Sequence, residues 1–352
     1  MIEKRTYARI GLMGNPSDGF YGKTLSSCIT NFYATATLTE NHRLEIVPHQ
    51  ICDTPDCLSF YPSKGFCDLQ EVETVSNRND YSGGLRLVYA TCKRFSNYCR
   101  DNGIKLGSKV CRITYDTTIP RQVGLGGSSG IIVSLVKALM DFYCLTSEDI
   151  PLEIQPNLVL SVETEELGIN AGLQDRVVQT YGGTVFMDFS KRNMDSLGHG
   201  FYERMDPSLL PDLFLACIES PGKDSGKMHN KTRARFSRGD EEIIDAMVEF
   251  ASFAEEAKLA LENGDHGRFG ELMNMNFDLR RKIYGDDAIG EKNLQMIEIA
   301  RSHGAPVKFP GSGGAVVGMY DSEEQFDRLR TSYLNQGLRF AKAIPLSSDF
   351  PV

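Results

Sequence analysis

The chain has 352 residues, of which 41% are hydrophobic and 24% charged, and its formal net charge at pH 7 is −9. This balance is that of a folded globular protein long enough for two domains. The acidic excess and the lack of any long block of Lys or Arg argue against a nucleic-acid partner. No run approaches the roughly 18 apolar residues of a membrane span, and no signal-peptide core follows the first residues. We therefore expect a cytoplasmic protein with no membrane partner.

The nine cysteines are scattered along the chain. Their closest groupings lack the paired C-x-x-C spacing of a zinc site; these groupings are Cys52, Cys57 and Cys67, and then Cys92 and Cys99. The six histidines likewise never pair at the spacing of metal ligands. We interpret the cysteines as reduced, mostly buried thiols.

Hydrophobic patterns in the first half alternate between the periods of strand and helix. Runs typical of strands are residues 7–13, 31–38, 44–51 and 110–115, and runs typical of helices are residues 85–100 and 131–142. This mixture predicts an α/β or α+β domain. Residues 52–84, rich in Asp, Pro, Ser, Gly and Asn, form the longest irregular segment, which we interpret either as a binding loop or lid or as an exposed insertion.

The second half begins with a short apolar strand at residues 212–218 and continues with helices at 239–262, 266–284 and 291–303. Strands at 315–320 and 338–343 then flank a helix at 323–334. Such an order predicts a layered α+β domain. Gly, Pro and Asp accumulate between residues 195 and 211, so we place the boundary there, with domains at residues 1–205 and 206–352.

The most informative segment lies between the predicted strand at 110–115 and the predicted helix at 131–142. Residues 120–130 read Pro-Arg-Gln-Val-Gly-Leu-Gly-Gly-Ser-Ser-Gly. Closely spaced glycines let backbone N–H groups turn toward one anion, and a helix N-terminus adds partial positive charge, with Ser128 or Ser129 available as the cap. The loop has neither the Gly-Lys-Ser/Thr of a Walker loop nor the spacing of the dinucleotide fingerprint. Taken alone, it indicates either a phosphate site or a turn that caps a buried helix.

This glycine loop resembles the P-x-x-x-G-L-G-S-S-A motif of the GHMP kinases, the superfamily of galactokinase, homoserine kinase, mevalonate kinase and phosphomevalonate kinase. Two further motifs of that family stand in the same order, at residues 8–18 (Ala-Arg-Ile-Gly-Leu-Met-Gly-Asn-Pro-Ser-Asp) and 308–315 (Lys-Phe-Pro-Gly-Ser-Gly-Gly-Ala). The resemblance implies a two-domain α+β fold. It consists of an N-terminal nucleotide-binding α/β domain and a C-terminal layered α+β, ferredoxin-like domain, with the active site in the cleft between them.

The resemblance also implies ATP as the phosphoryl donor and Mg²⁺ as the metal. Backbone amides of the glycine loop would hold the phosphates, and the nucleotide site would comprise Pro120, Gly124, Leu125, Gly126, Gly127, Ser128, Ser129 and Gly130. Ser128 matches the second serine of the family's pair and would offer its hydroxyl to phosphate or Mg²⁺. Gly127 replaces the first serine, and Ser129 and Gly130 replace the usual alanines, so small size is kept.

A second metal ligand is expected in residues 161–168, where Ser-Val-Glu-Thr-Glu-Glu-Leu-Gly puts three carboxylates in one helical stretch. In the family, a glutamate about ten residues before an aspartate completes the metal site. Glu165 matches that glutamate best, and Glu163 is the alternative. Without the resemblance, these carboxylates would be interpreted as a solvated helix face.

Asp175 aligns with the aspartate of the family's G-x-x-D segment, which a helix and a Tyr-Gly-Gly at residues 181–183 follow. The resemblance implies that Asp175 is the catalytic residue, which orients the acceptor hydroxyl and accepts its proton late in the transfer. Arg9 matches the position where galactokinases carry arginine and mevalonate kinases lysine, close to that aspartate. A cation there would stabilise the transferring phosphoryl group, although Arg9 judged alone would be a surface strand residue.

The acceptor site is expected near residues 14–18, Gly-Asn-Pro-Ser-Asp, where galactokinases carry Gly-Glu-His-Thr-Asp. Asp18 is a candidate for hydrogen bonds to sugar hydroxyls, and Asn15 removes a carboxylate that would repel an acidic sugar. Gln179 follows Asp175 by one helical turn and is expected to face the substrate with it. A substrate carboxylate would be bound by a cation. We take Arg121 as a candidate, and Lys23, Arg176, Arg233 and Arg235 stay open beside it.

Longer identities, at residues 14–18, 171–177, 181–183 and 187–189, resemble the plant-type glucuronokinases. The resemblance implies transfer of a phosphoryl group from ATP to the anomeric hydroxyl of D-glucuronate, giving 1-phospho-glucuronate and ADP. The alternatives are another sugar kinase for galactose, arabinose or galacturonate, an ATP-dependent decarboxylase of the same fold, and a ligand sensor without activity. The expected partners are a sugar or sugar acid and ATP, and the chain is expected to be a monomer or a homodimer.

Overall fold

The computed structural model of the protein describes residues 1–47, 67–76, 85–219 and 226–347. Its strands are β1 (Ile2–Met13), β2 (Lys23–Asn41), β3 (Glu45–Ile46), β4 (Val110–Thr117), β5 (Thr184–Asp188), β6 (Phe201–Met205), β7 (Leu213–Cys217), β8 (Val307–Lys308), β9 (Ala315–Met319) and β10 (Arg339–Ala343). Its α-helices are α1 (Leu69–Ser76), α2 (Leu85–Asp101), α3 (Gly127–Phe142), α4 (Gln155–Ser161), α5 (Leu173–Tyr181), α6 (Lys191–Leu197), α7 (Gly226–Ser237), α8 (Glu241–Glu262), α9 (His266–Tyr284), α10 (Asp286–Ile289), α11 (Glu291–Ser302) and α12 (Glu323–Asn335). A π-helical turn at Val162–Glu166 continues α4.

The first sheet is built around the long strand β2. The hydrogen-bonded order is β3-β4-β2-β5-β6, and β1 pairs antiparallel with β2 outside this path. The first part of β2 pairs with β5 and its second part with β4. Strand β1 is buried continuously from Ala8 to Met13, because α3, α8 and α9 all contact it. A strand covered in this way reads as a continuous apolar run rather than as an alternating one.

The second sheet is antiparallel, in the order β10-β7-β9-β8. Helices α9, α11 and α12 contact its strands. Its core includes an aromatic group in which Tyr333 stacks on Phe340 with ring centroids 5.2 Å apart and Phe214 lies 5.3 Å from Phe340. Such large side chains supply most of the apolar area that a layered domain buries.

The two sheets follow one another along the chain, since β6 ends at Met205 and β7 begins at Leu213. Helix α8, from the second half, packs on β2 of the first sheet. The backbone of Pro345 also bridges to Ile29 of β2. The two halves therefore share a contact surface next to β1 and β2. The domain bounds 1–205 and 206–352 stay a prediction.

Most predicted elements of the described chain are present, with shifted ends. Strand β2 begins earlier and ends later than the predicted 31–38. Its polar residues Thr24, Ser26 and Ser27 are buried between β1 and β5, so this part of the strand gives no apolar pattern in the sequence. Of the predicted strand at 44–51, β3 forms the described part, and residues 48–51 lie outside the described residues. In the irregular segment at 52–84, helix α1 is described, and residues 52–66 and 77–84 lie outside.

The described cysteines are free thiols. Those at 28, 92, 99, 111 and 217 are buried, and those at 67 and 144 are exposed. Burial raises the pKa of Cys28 to about 12, so this thiol stays protonated at neutral pH. Cys52 and Cys57 lie outside the described residues. Among the described helices, none combines the length and apolar character needed to cross a membrane.

Candidate active site

A cavity of about 560 Å³ collects the motifs found in the sequence. Its lining brings together residues that are far apart along the chain: Arg9, Asn15 and Asp18 from β1 and the turn after it, Pro120 and Gly124 to Ser128 from the glycine loop, Glu163 from the π-helical turn, Gln174, Asp175 and Arg176 from α5, and Arg280, Gly311 and Ser312 from the second half. Both halves of the molecule therefore contribute to one site.

The glycine loop reaches the cavity in a conformation that favours glycine. Gly124 and Gly126 have φ values of 69° and 75°, which other residues rarely adopt. Helix α3 begins at Gly127, with Gly126 as its N-cap residue. The expectation that Ser128 or Ser129 caps the helix is wrong, since both lie inside its first turn and Ser129 Oγ donates back to Gly126 O at 3.2 Å. The first amides of α3 face the end of the cavity where an anion would bind.

The glycine loop packs directly on the Gly311 motif. A Cβ atom on Gly311 would lie 2.2 Å from the carbonyl oxygen of Gly124, and one on Gly124 would lie 2.8 Å from the amide nitrogen of Ser312. Neither position has room for a side chain. The two loops are therefore in backbone contact.

Arg9 and Asp175 form a bidentate ion pair on the cavity wall. Arg9 Nε donates to Asp175 Oδ1 at 2.6 Å, and Nη2 donates to Oδ2 at 2.7 Å. The Arg9 side chain is 6% exposed and that of Asp175 is 19% exposed. Arg176 Nη1 lies 3.6 Å from Asp175 Oδ2, so the negative charge of Asp175 is balanced by two guanidinium groups. The structure thus brings together the two residues that we predicted to be catalytic.

The carboxylate beside Ser128 belongs to Glu163. Ser128 Oγ donates to Glu163 Oε1 at 2.8 Å, and Arg176 pairs with the other oxygen of Glu163. Glu165, which the sequence favoured, is not part of the cavity; its side chain is 62% exposed and pairs with Arg94 at 2.8 Å. Glu163 lies on the buried side of the π-helical turn and Glu165 on its exposed side, which the spacing of ten residues before Asp175 could not reveal. Of the two alternatives, the geometry favours Glu163.

Asp18 lies in the same cavity as Asp175. Its Oδ2 accepts a hydrogen bond from the amide of Gln174 at 3.4 Å, and a Cβ atom on Gly172 would lie only 2.1 Å from that oxygen. Burial and the charge of Asp175 raise the pKa of Asp18 to about 6, against the opposing effect of the Gln174 amide, Arg9 and Arg176. Asp18 therefore changes charge within the range where most enzymes work.

Asn15 lines the cavity, but its side chain is held from behind. Asn15 Oδ1 accepts a hydrogen bond from Lys308 Nζ at 2.5 Å, and Nδ2 donates to Phe309 O at 3.3 Å. Asn276 on α9 fixes the same turn, since its Oδ1 accepts from Gly14 N at 2.8 Å and its Nδ2 donates to Asn15 O at 3.2 Å. The second half of the chain thus positions the turn that carries Asn15.

Gln179 does not face the cavity, contrary to its predicted role in substrate binding. It is 1% exposed, and its Nε2 donates to Tyr7 O and Gly126 O, both at 2.9 Å. It supports the glycine loop from behind, because the position one helical turn after Asp175 faces the core rather than the cavity.

Arg121 does line the cavity, but it is exposed and belongs to the glycine loop itself. Ser129 and Gly130, predicted to bind the nucleotide, are buried and do not line the cavity.

Sequence reasoning missed cavity residues that carry polar groups, namely Gln174, Arg280 and, just behind the wall, Asn276 and Lys308. Gln174 stood next to Asp175 in the quoted motif, and its buried Oε1 has no hydrogen-bond partner among the described residues. Asn276 and Arg280 are buried polar residues four positions apart on α9. This i, i+4 interruption of an apolar helix face is a signal that the sequence does contain.

Comparison with known proteins relates the whole chain to one family. Residues 86–183 match the family described as GHMP kinases N terminal domain, and residues 257–337 match GHMP kinases C terminal. Glucuronokinase 1 of Arabidopsis thaliana is 49% identical over 316 residues, which cover 90% of this chain and 84% of that protein. The chain belongs to the GHMP kinase family. Probable glucuronokinase 2 of the same plant is 48% identical over 324 residues, with the same coverage of each chain.

Solved structures show that the fold is that of other GHMP kinases. The galactokinase of Lactococcus lactis complexed with galactose superposes with a TM-score of 0.72 at 17% identity, covering 98% of this chain and 94% of that one. The Methanococcus jannaschii mevalonate kinase gives a TM-score of 0.67 at 19% identity, covering 98% of each chain. The predicted family and the two-domain mixed α/β fold of this GHMP kinase are therefore confirmed.

The contact between the two glycine motifs leads to a testable prediction for Gly311→Ala. The added methyl group would overlap the carbonyl of Gly124, so we expect a loss in free energy of unfolding on the order of 2 kcal/mol and weaker binding of an ATP analogue. Urea denaturation and calorimetric titration measure the two effects. Gly107→Ala is the matched control, since a Cβ there meets nothing within 4 Å. Equal midpoints and equal affinities for the two variants would contradict the prediction.

Asp18→Asn tests the electrostatic cost of the buried carboxylate. The folded pKa of about 6 lies above the ordinary aspartate value of 3.8, so Asp18 lowers stability as pH rises through this interval, and its full cost is present above about pH 6. We expect Asp18→Asn to be more stable than wild type by on the order of 1 kcal/mol at pH 7.5 and by roughly half of that gain at pH 5. Urea denaturation at both pH values checks this. A difference between variant and wild type that is independent of pH would mean that Asp18 does not titrate between the two values.

Proposed function

We propose that this protein transfers the γ-phosphoryl group of ATP to the anomeric hydroxyl of D-glucuronate, giving 1-phospho-glucuronate and ADP. The observation that supports it most is the Arg9–Asp175 pair, which lies in one cavity with the glycine loop and the Ser128–Glu163 pair. Phosphoryl transfer needs a cradle for the phosphates, metal ligands and a group that orients the acceptor hydroxyl. All three are present around this cavity.

In the proposed transfer, Asp175 and Arg9 have distinct roles. The anomeric oxygen forms a bond to the γ-phosphorus while the bond between that phosphorus and the β,γ-bridging oxygen breaks. Asp175 accepts a hydrogen bond from the hydroxyl and takes its proton as the transfer proceeds. Arg9 places positive charge beside the reacting centre and holds Asp175 in a fixed orientation.

Ser128 and Glu163 are the residues that we propose to hold Mg²⁺. Their side-chain oxygens lie 2.8 Å apart on the cavity wall at the N-terminus of α3. Hard oxygen ligands, few in number, suit an ion that keeps water and phosphate oxygens in its shell. When bound, Mg²⁺ would screen the charge of the triphosphate. Arg176 holds Glu163 from its other side and fixes the orientation of the carboxylate.

The acceptor end of the cavity offers both polar groups and positive charge. Asp18 lines the cavity and can accept hydrogen bonds from sugar hydroxyls. The names of the two plant relatives support D-glucuronate as the acceptor, since both are described as glucuronokinases. The presence of Arg9, Ser128 and Asp175 in one cavity supports an active kinase rather than a ligand sensor. A cytoplasmic location and a monomeric or homodimeric state stay predictions.

An acceptor screen tests the proposal as a whole. ADP release from ATP and Mg²⁺ would be measured with D-glucuronate, D-galacturonate, D-galactose, L-arabinose, mevalonate and homoserine. We expect the highest kcat/KM for D-glucuronate, with the product stable to reducing-sugar reagents because its anomeric oxygen is phosphorylated. A preference for a neutral sugar would overturn the glucuronate assignment and leave the kinase in place.

Asp175→Asn tests the catalytic role of the ion pair. The amide keeps part of the hydrogen bonding but cannot take a proton, so we expect kcat to fall by at least ~10²-fold with ATP-analogue affinity nearly unchanged. Asp188→Asn is the matched control, because Asp188 is as exposed as Asp175 and pairs with Lys23 outside the cavity. Wild-type turnover by the Asp175 variant would show that this residue is only structural.

The choice between Glu163 and Glu165 is tested by comparing their glutamine variants. Glu163→Gln removes a charged oxygen beside Ser128, so we expect the Mg²⁺ concentration for half-maximal activity to rise by about tenfold. Glu165→Gln removes only an exposed pair with Arg94 and is expected to leave it unchanged. Titration of activity with Mg²⁺ at saturating ATP measures both. The opposite ranking would return the metal site to Glu165.

A further inference from the structure

The proposed reaction requires a residue that binds the carboxylate at C6 of the sugar acid, and the cavity wall contains several cations. Within the described residues they are Arg9, Arg86, Arg121, Arg176, Arg233 and Arg280. Arg9 is engaged by Asp175, and Arg176 by Glu163 and the carbonyl of Gly172. Arg86, Arg121 and Arg233 are exposed, where water weakens the attraction between a cation and a carboxylate. Arg280 differs from all of them.

Arg280 is buried, 3% exposed, yet reaches the cavity. Its guanidinium carbon lies 5.4 Å from the ring centre of Phe309 and 5.5 Å from that of Tyr284, so two aromatic rings hold the group in place. One nitrogen, Nη1, donates to Gly311 O at 2.8 Å. The guanidinium has further N–H donors, and its fixed plane suits a carboxylate that binds through two hydrogen bonds.

The surroundings of Arg280 carry positive charge without a paired carboxylate. Across the described ranges, no carboxylate lies within ion-pair distance of Arg280 or of Lys308, whose Nζ donates only to Gly11 O, Asn15 Oδ1 and Phe309 O. Burial, together with the charges of Arg280 and Arg9, lowers the pKa of Lys308 well below its ordinary value. A lowered pKa favours the neutral form of Lys308, so the cost of buried charge without a carboxylate partner falls on Arg280, and a bound anion would offset that cost.

Arg280 also lies on the acceptor side of the cavity. It shares a face of α9 with Asn276, which fixes the Gly14–Asn15 turn, and the charge of Asp18 acts on it. The ring of Phe309 contacts its guanidinium, while the carbonyl of Phe309 accepts from Asn15. Asn15 and Arg280 therefore both contact Phe309 and line the same cavity, and Arg280 has no ion pair among the described residues.

We propose that Arg280 binds the carboxylate of the acceptor and sets the preference of this kinase for a sugar acid over a neutral sugar. This inference rests on the proposed function. It names a residue on α9 of the second half of the chain, whereas the phosphates and the reacting hydroxyl are handled by the first half. Substrate choice and phosphoryl transfer are then assigned to different parts of the molecule.

The test compares D-glucuronate with D-glucuronamide, in which a neutral amide of the same shape replaces the carboxylate. For Arg280→Gln we expect kcat/KM for D-glucuronate to fall by about 10²-fold and that for D-glucuronamide to change by less than about threefold, with affinity for a non-hydrolysable ATP analogue unchanged. Arg280→Lys keeps the charge but not the planar fork, so it should retain part of the preference for the acid. Arg281→Gln is the control, since Arg281 is exposed and pairs with Asp286.

The outcomes distinguish failure of this inference from failure of the proposed function on which it rests. Equal losses for the acid and the amide, or weaker binding of the ATP analogue, would make Arg280 a structural or phosphate-binding residue and overturn the inference alone. A selective loss in Arg233→Gln instead would move the carboxylate site to Arg233 and overturn it as well. If wild type does not phosphorylate D-glucuronate, the proposed function fails and the inference with it. Should Arg280→Gln be unstable by thermal denaturation, the ratio of acid to amide in Arg280→Lys still decides.

Discussion

The guanidinium of Arg9 joins the parts of this molecule that must meet for it to act. It bonds to both oxygens of Asp175 on α5, to the carbonyl of Gly124 in the glycine loop and to the carbonyl of Pro310 in the second half. A buried guanidinium is tolerated only when its donors are satisfied. Because the partners of Arg9 come from three segments, this requirement fixes the distances between Asp175, the glycine loop and the Gly311 motif at once.

Charge is distributed around the cavity in two different ways. On the side of the first half, two buried arginines each pair with a carboxylate, as Arg9–Asp175 and Arg176–Glu163. On the side of the second half, Arg280 and Lys308 hold only neutral acceptors among the described residues. Paired charges orient groups without creating a strong field, whereas unpaired ones create a positive region that favours an anionic ligand. The asymmetry agrees with a reaction in which two anions, nucleotide and sugar acid, enter one site.

The sequence predicted the features that depend on local pattern or on motif order. Glycine spacing identified the loop, and the family motifs brought Arg9, Ser128 and Asp175 together correctly, because their neighbours along the chain are constrained by backbone geometry. It could not predict which carboxylate faces Ser128, since Glu165 was preferred by its spacing from Asp175, and that spacing does not tell which side of the turn at Val162–Glu166 is buried. It also could not place Gln179 or Arg280, whose orientation depends on how α5 and α9 pack against β1 and the glycine loop.

The backbone contact between Gly124 and Gly311 has a thermodynamic consequence. Any ligand that binds the glycine loop in its folded shape also favours the folded shape of the loop that it packs on, because neither can move without opening a gap or a clash. By linkage, the nucleotide then stabilises the second half of the chain without touching most of it, and the second half contributes to nucleotide affinity in the same measure. Nucleotide binding and the folding of the second half would then be two readouts of one equilibrium.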